Sequence, residues 1–336
     1  MVIMSPEDMH GRRKRFRGRF CLLVALITAC IGAATLPQIA GGATTSTKDV
    51  AASAVLKSIA NASKITSIPS SLSPPLTDFG NETAGALSGD NLVWACDPYR
   101  TATLATKPVP CFFGDLSSTK TIAIVGDSNV GNWVPALNVG LKAAGYRLAA
   151  FSYAGCPTAD VTYKALPDLQ TSECNLWHKT VPPVVKALHP IAVLLASGEN
   201  FPSGMTNSGW ISGFVKLFNL TTFPSTVRIL MGTSPFTTVA PPNCLAAHSN
   251  PQACELHYAT GSQYPVFLTR DPFIAQASHA TLIPTYPWLC VKEVCPPIVS
   301  HYLTLADTDH LTTAYSQYIA PVVTAAVLNV ITKVKK

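Results

Sequence analysis

The sequence predicts an α/β protein of three layers, α/β/α and flavodoxin-like, built around a mainly parallel five-stranded sheet. Short apolar runs rich in β-branched residues alternate with segments of helical spacing, the order that buries a parallel sheet between helices. The runs are apolar throughout rather than at every second position, as strands covered on both faces are. With 336 residues, 48% of them hydrophobic and 12% charged, the chain has ample material for one large core.

The elements follow in order. "TIAIV" (121–125) is the first strand, ended by Gly126, and "NWVPALNVGLKAAG" (132–145) has helical spacing with a glycine stop. "RLAAFSY" (147–153) is the second strand. "LWHKTVPPVVKALH" is helical, but its proline pair predicts a late start or a kink. "IAVLLAS" (191–197) is the third strand, "GWISGFVKLFNL" a helix, and "VRILMG" (227–232) the fourth strand. "YPVFLTRDPFIAQAS" is helical in its latter part, and "ATLIPTY" (280–286) is the fifth strand. "LTTAYSQYIAPVVTAAVLNVITKV" closes the chain as one long helix. Right-handed crossovers leave few topologies, of which the strand order 2-1-3-4-5 is the simplest.

Residues 1–43 stand apart. Six of the chain's 24 Lys and Arg lie between Arg12 and Arg19, and the uncharged "CLLVALITACIGAATL" follows with small residues after it. A basic start, a short apolar run and small residues are the parts of a secretory signal or an N-terminal membrane anchor. Arg12-Arg13 and Ile27-Thr28-Ala29-Cys30 carry weaker hints of a twin-arginine signal and a lipobox. The formal charge of +6 comes mainly from this segment, and nothing beyond it has the basic patch that nucleic acid demands. Of ten cysteines, Cys21 and Cys30 belong to the signal. The others form four local couples: Cys96 and Cys111, Cys156 and Cys174, Cys244 and Cys254, Cys290 and Cys295. In an exported chain these read as disulfides, each couple bracketing one loop. No cofactor and no metal is expected, since zinc needs a second Cys/His pair near Cys290 and Cys295. Residues 44–90 read as a linker: a short amphipathic helix carrying Val50, Val55, Leu56, Ile59 and Ile65, then "TSIPSSLSPPLTD". The catalytic domain is expected over 91–336.

In an open parallel sheet, sites lie beyond the carboxyl ends of the strands where the strand order reverses. That point falls beside the first strand, with Ser128 of Gly-Asp-Ser one turn past its end. The following helix N-terminus offers unpaired N–H groups there. A serine nucleophile needs a base, and the base needs a group that fixes its tautomer. "ADTDHLTTAY" supplies both from one loop, His310 as base and Asp307 as its partner. Asp309, the other acid nearby, is expected to point away or to cap the next helix.

Gly-Asp-Ser at 126–128 and Asp-x-x-His at 307–310 together resemble the SGNH hydrolase superfamily. The resemblance implies an oxyanion hole made by the Ser128 N–H, the N–H of Gly155 in "SYAGCP" and the side-chain amide of Asn200 in "SGENF". Phe201 stands where that family often has Asp. "VPCFFGDLSSTKTIAIVGDSNVGNWVPAL", "AGCP", "CNLWHK", "WLCVKEVCPPIV" and "DHLTTAYSQYIAPVV" are similar to the SGNH domains fused to family 3 membrane acyltransferases. That branch usually has His after the Ser, where this chain has Asn129, and usually follows a many-helix membrane domain, where this sequence has one apolar segment. The resemblance implies an exported, extracytoplasmic bacterial serine esterase or O-acyltransferase acting on acetyl esters of cell-envelope glycans. The acyl donor would come from a separate membrane acyltransferase, and no nucleic acid partner is implied. Two alternatives stay open: a non-catalytic glycan-binding or scaffold module, and a lipase acting on acyl chains. Trp133, Trp177 and Trp288 are read as core ahead of the alternative that they line a sugar site, and His178, His248, His257 and His301 as surface or structural.

Overall fold

The computed structural model describes residues 47–77, 97, 108–162, 168–198, 201, 204–258 and 264–334. The expected export segment, residues 1–43, lies outside the described residues.

The central sheet contains β1 (Cys111–Gly114), β2 (Thr121–Gly126), β3 (Arg147–Ser152), β4 (Ala192–Ala196), β5 (Val227–Met231) and, after the short strand β6 (Leu256–His257), β7 (Thr281–Ile283). Their spatial order is β1-β3-β2-β4-β5-β7. The five expected strands occupy the expected order and run parallel, with Ile122 facing Leu148 on one side and Ala192 on the other. The sheet has a sixth strand that the sequence reading lacked. "CFFG" pairs antiparallel with β3, Cys111 opposite Ala150. It is short and follows a proline, so its pattern alone does not separate it from a loop.

Every residue of β2 is buried, and its side chains alternate between two cores. Ile122 and Ile124 join the core beneath α2 (Val130–Ala144) and the C-terminal helix α8 (Ala320–Val334). Ala123 and Val125 join the core beneath α3 (Asp168–Ala187) and α4 (Asn207–Thr221). Strand β4 repeats the division, with Leu194 on the first side and Leu195 on the second. This is why the strands read as continuous apolar runs.

Three local expectations change. Helix α3 starts at Asp168, well before Pro182 and Pro183 rather than late, and continues through them. Its Trp177, Val181 and Val185 are buried in the second core, and Cys174 is bonded to Cys156, so packing holds the helix across the missing N–H groups. The closing helix is two helices, α7 (Thr313–Tyr318) and α8, divided at Ile319. Pro321 in the first turn of α8 disfavours continuous helical backbone before it. The segment 44–90, expected as a linker, packs onto the body where it is described. Val55 and Ile59 of α1 (Thr47–Ala60) are buried in the first core against α8, while Val50 and Leu56 face solvent. Leu72 packs with Leu245, Ile298 and Leu303, and the Ser73 backbone pairs with His301 and Leu303 at 2.8 and 3.0 Å.

Three disulfides join the expected neighbours, Cys156–Cys174, Cys244–Cys254 and Cys290–Cys295. Cys111 is also disulfide-bonded, and Cys96 lies outside the described residues. Among the described residues no helix is long and apolar enough to cross a membrane.

Candidate active site

The end of β2 has no room for a side chain. A Cβ on Gly126 would lie 1.9 Å from the Ala196 carbonyl oxygen of β4. The next residue, Asp127, is buried and binds in every direction. Its Oδ1 accepts the Asn129 N–H at 2.9 Å, a turn closed by the side chain that lifts Ser128 out of the strand. Its Oδ2 accepts the Gly198 N–H at 2.8 Å and the Ser197 hydroxyl at 3.3 Å, which ties β4 to the same turn. Its N–H donates to Thr158 Oγ1 at 3.1 Å, and its carbonyl accepts the Ser152 hydroxyl at 3.2 Å from β3. Burial pushes the Asp127 carboxyl up to about 6 although two backbone N–H groups favour its charge. Asp127 therefore gathers three strand ends around Ser128. The sequence reading assigned it no role, although it is the middle residue of the motif.

Ser128 is 6% exposed, at the rim of the buried interior. Helix α2 begins two residues later with no side-chain cap at Asn129. The side chains of Asn129 and Asn132 turn instead toward the distant loop that carries His310. Asn132 Nδ2 donates to Asn129 Oδ1 at 2.8 Å and to the Asp309 carbonyl at 3.1 Å. Its Oδ1 accepts the Leu311 N–H at 2.8 Å, and Asn129 Nδ2 reaches Asp309 Oδ2 at 3.4 Å. A second fastening lies one turn on, where Pro135 interrupts the helix ladder. The Ser316 hydroxyl of α7 accepts the Ala136 N–H at 3.2 Å and donates to the Asn132 carbonyl at 2.6 Å. The sequence reading noted Asn129 only as a departure from a family pattern and passed over Asn132 and Ser316. The available signal was a pair of asparagines three apart at the start of an otherwise apolar helix.

The loop itself is a narrow hairpin, with Leu305 bridged to Leu311 and the Ala306 N–H donating to the His310 carbonyl at 2.8 Å. At its tip Asp307 Oδ1 accepts the N–H groups of Asp309 and His310 at 3.0 and 2.8 Å, while Oδ2 lies 2.8 Å from His310 Nδ1. Asp309 does not point away as expected. Its Oδ1 is 3.3 Å from the same Nδ1, and the cap of α7 is Thr312, whose hydroxyl accepts the Tyr315 N–H at 3.0 Å. Burial alone would push the His310 pKa down. The hydrogen bond that the ring donates to Asp307 and the charges of Asp309, Asp307 and Asp127 outweigh it and raise the imidazole to about 9. Burial likewise opposes the Asp307 charge, yet His310 and the two N–H groups hold its pKa below the usual carboxylate range; burial and Asp307 push Asp309 up.

With Nδ1 engaged by carboxylates, Nε2 is the nitrogen left to exchange a proton with a substrate or nucleophile. No hydrogen bond joins Ser128 Oγ to His310 in this structure; contacts of this kind tighten when substrate binds. Ligating atoms of Asp307, Asp309 and His310 lie within 4.8 Å of one another, but both acids address one imidazole nitrogen, the arrangement of a hydrogen-bonded set.

Gly155 has a left-handed φ of 76°, which favours glycine. Its turn is held at the β2 end by the Tyr153 N–H, which donates to the Gly126 carbonyl at 3.1 Å, and is braced by the adjacent Cys156–Cys174 bond. Asn200 lies outside the described residues; the segment leading to it starts at Gly198, bonded to Asp127. Trp133 and Trp288 pack edge to face at 5.7 Å and Trp177 packs on Tyr153, all three buried as core. His178 is buried and structural, its Nε2 2.8 Å from the Pro157 carbonyl.

A family model described as the SGNH domain fused to AT3 domains matches residues 96–325. The chain is similar in structure to a lipopolysaccharide acetyltransferase periplasmic domain of Salmonella ser. Paratyphi A, with a TM-score of 0.55 and 20% identity over 72% of this chain and 94% of that one. It also matches a putative acylhydrolase from Bacteroides fragilis NCTC 9343, with a TM-score of 0.41 and 15% identity over 67% of this chain and 91% of that one. An aryl esterase of M. smegmatis gives a TM-score of 0.42 and 14% identity over 63% of this chain and 99% of that one. The Salmonella likeness supports the three-layer fold. No curated protein matches the chain.

Proposed function

The chain belongs to the family of SGNH domains fused to AT3 domains, and on that footing we propose that it is an exported serine esterase or O-acyltransferase using Ser128, His310 and Asp307 on acyl, chiefly acetyl, esters of cell-envelope glycans. Its class is that of the SGNH-type serine hydrolases and acyltransferases. One observation carries the reading. An imidazole held at 2.8 Å by Asp307 is fastened through Asn129 and Asn132 to the same turn that presents Ser128.

The Ser128 hydroxyl gives its proton to His310 Nε2 as Oγ bonds to the ester carbonyl carbon. The carbonyl π electrons move to oxygen, where the N–H groups of Ser128 and Gly155 and the amide of Asn200 would hold the charge. Collapse breaks the bond to the alcohol, which takes the proton from His310 and leaves an acyl-serine. Water then gives hydrolysis, and a sugar hydroxyl gives transfer, by the same steps in reverse. Asp307 holds the imidazole in the tautomer this requires. Disulfides suit an extracytoplasmic site, a separate membrane acyltransferase would supply acyl groups for transfer, and residues 91–336 would form the catalytic domain.

The test is p-nitrophenyl acetate, with nitrophenol release and intact mass followed for the wild type, Ser128→Ala and His310→Ala. An acetyl adduct on the protein, absent from Ser128→Ala, supports the reading. Folded wild type with no adduct and no Ser128-dependent release overturns it and favours a glycan-binding module.

A further inference from the structure

Helix α6 (Tyr264–Ala277) packs over β5 and β7 and reaches the same carboxyl edge as Ser128. Its level is set by Asp271, whose carboxylate accepts the Thr233 N–H at 2.8 Å and hydroxyl at 3.3 Å, two residues past β5. The preceding residue, Arg270, is only 8% exposed. Its guanidinium carbon lies 4.1 Å from the centre of the Phe201 ring and 5.0 Å from that of Phe267. Nε and Nη1 are sealed from solvent with no hydrogen-bond partner, and so is the hydroxyl of Ser234, the neighbour of Thr233. Asp271, the carboxylate nearby, is within ion-pair distance of no described cation and is engaged by Thr233.

The other described arginines behave differently. Arg147 donates to Thr121 Oγ1 through Nε and Nη2, at 3.1 and 2.7 Å. Arg228 donates to Thr222 Oγ1 and to the Ser278 carbonyl, at 3.1 and 3.0 Å. A buried cation without hydrogen bonds is costly, and native proteins satisfy nearly all such donors. The two aromatic rings attract the Arg270 guanidinium but do not replace hydrogen-bond acceptors for its N–H groups. Its place gives the reason. Phe201 lies three residues past Gly198, which holds Asp127, and β5 is two strands from β2, about 10 Å at the usual strand spacing. That span fits a saccharide whose ester lies at Ser128.

We propose that Arg270 is an acid-recognising subsite, and that the substrate carries a carboxylate or phosphate near the acyl ester, as an acidic glycan does. This rests on the esterase or acyltransferase reading. A guanidinium N–H donates to either anion in a charge-assisted hydrogen bond. Nη2, the nitrogen outside the sealed pair, meets the anion first.

The test uses the full chain and three acetylated sugars: a methyl galacturonoside, the matching methyl galactoside, and glucose 6-phosphate. Wild type releases acetate faster from at least one acidic sugar than from the galactoside, and the better acid tells carboxylate from phosphate. Arg270→Gln lowers kcat/KM on that acid by roughly 10- to 100-fold, the effect of losing a hydrogen bond to a charged group. The galactoside and p-nitrophenyl acetate change by less than about threefold, since no charge is recognised there. Arg270→Lys restores part of the acid preference, and melting temperatures confirm that both variants fold. Equal wild-type rates on all three sugars, or an equal loss on acidic and neutral esters in Arg270→Gln, overturn the subsite while Ser128-dependent turnover stands. Calorimetry of Ser128→Ala with galacturonate oligomers reads the site apart from chemistry. Binding lost in the Ser128→Ala, Arg270→Gln double variant keeps the subsite even where ester turnover proves independent of Ser128.

Discussion

The serine side and the histidine side of the site are built by opposite means. Ser128 is presented by its own neighbourhood: a glycine with no room for a side chain, an aspartate whose oxygen closes the turn, and strand ends drawn onto that aspartate. His310 comes from a hairpin 182 residues further along the chain, fastened by Asn132, Asn129 and Ser316. The difference teaches that the nucleophile's position resists distant change, whereas the base is only as well placed as its side-chain tethers. Its charge is likewise imported, from three carboxylates around one ring.

The largest effect should come from the chemistry itself. Ser128→Ala or His310→Ala should cut ester turnover by at least about 10³-fold with the fold intact, as loss of a triad member does elsewhere. Circular dichroism beside the rate separates this from unfolding. Next comes Asp127→Asn, which sets an amide N–H against backbone donors at a buried site. A loss of about 2–4 kcal/mol in urea unfolding is expected, since one side of a buried charged network is removed. Full stability in that variant would mean that Asp127 does not organise the strand ends.

Asn132→Ala probes the histidine side alone. It strands the Leu311 N–H and frees the hairpin, at a cost of about 1–3 kcal/mol. The rate should fall further than in the matched change at an exposed helix position, and the acetyl adduct should persist longer, because the same imidazole activates the water that clears it. A variant equal to wild type in rate would break the comparison, for the base would then be placed by its hairpin alone.

The smallest effect concerns pH. A base at about 9 is mostly protonated at neutral pH, so kcat/KM should rise with pH and reach half its plateau near 9. Asp309→Asn removes a carboxylate 3.3 Å from Nδ1 and should move that midpoint to lower pH. The stability consequence has the opposite sign to the rate. Because folding raises the His310 pKa above 6.5, its contribution is fully present below 6.5 and fades as pH rises through about 9. A rate profile that ignores Asp309 would show that the base is set without it, by Asp307 and Asp127.

Much of this was legible because it is local or periodic. The five parallel strands and their order followed from apolar runs and crossover handedness, and β1 escaped because four residues after a proline carry no period. Local cysteine couples announced three bonds, since short loops leave few partners in reach. Motif spacing singled out Ser128, Asp307 and His310. Residues whose role is a long-range hydrogen bond left no such mark: Asn132, Ser316, and Asp309, which was expected to turn away.

The sequence by itself determined the layers, the strand order and the chemical types available at the rim, because side-chain period and turn residues act over a few positions. Tertiary structure alone decided that two carboxylates share one imidazole nitrogen, that residues 47–64 and 72 close the core rather than hang free, and that Arg270 is buried between two aromatic rings without a hydrogen bond. Burial and electrostatics depend on what other segments bring within a few ångströms, and no local pattern records that distance.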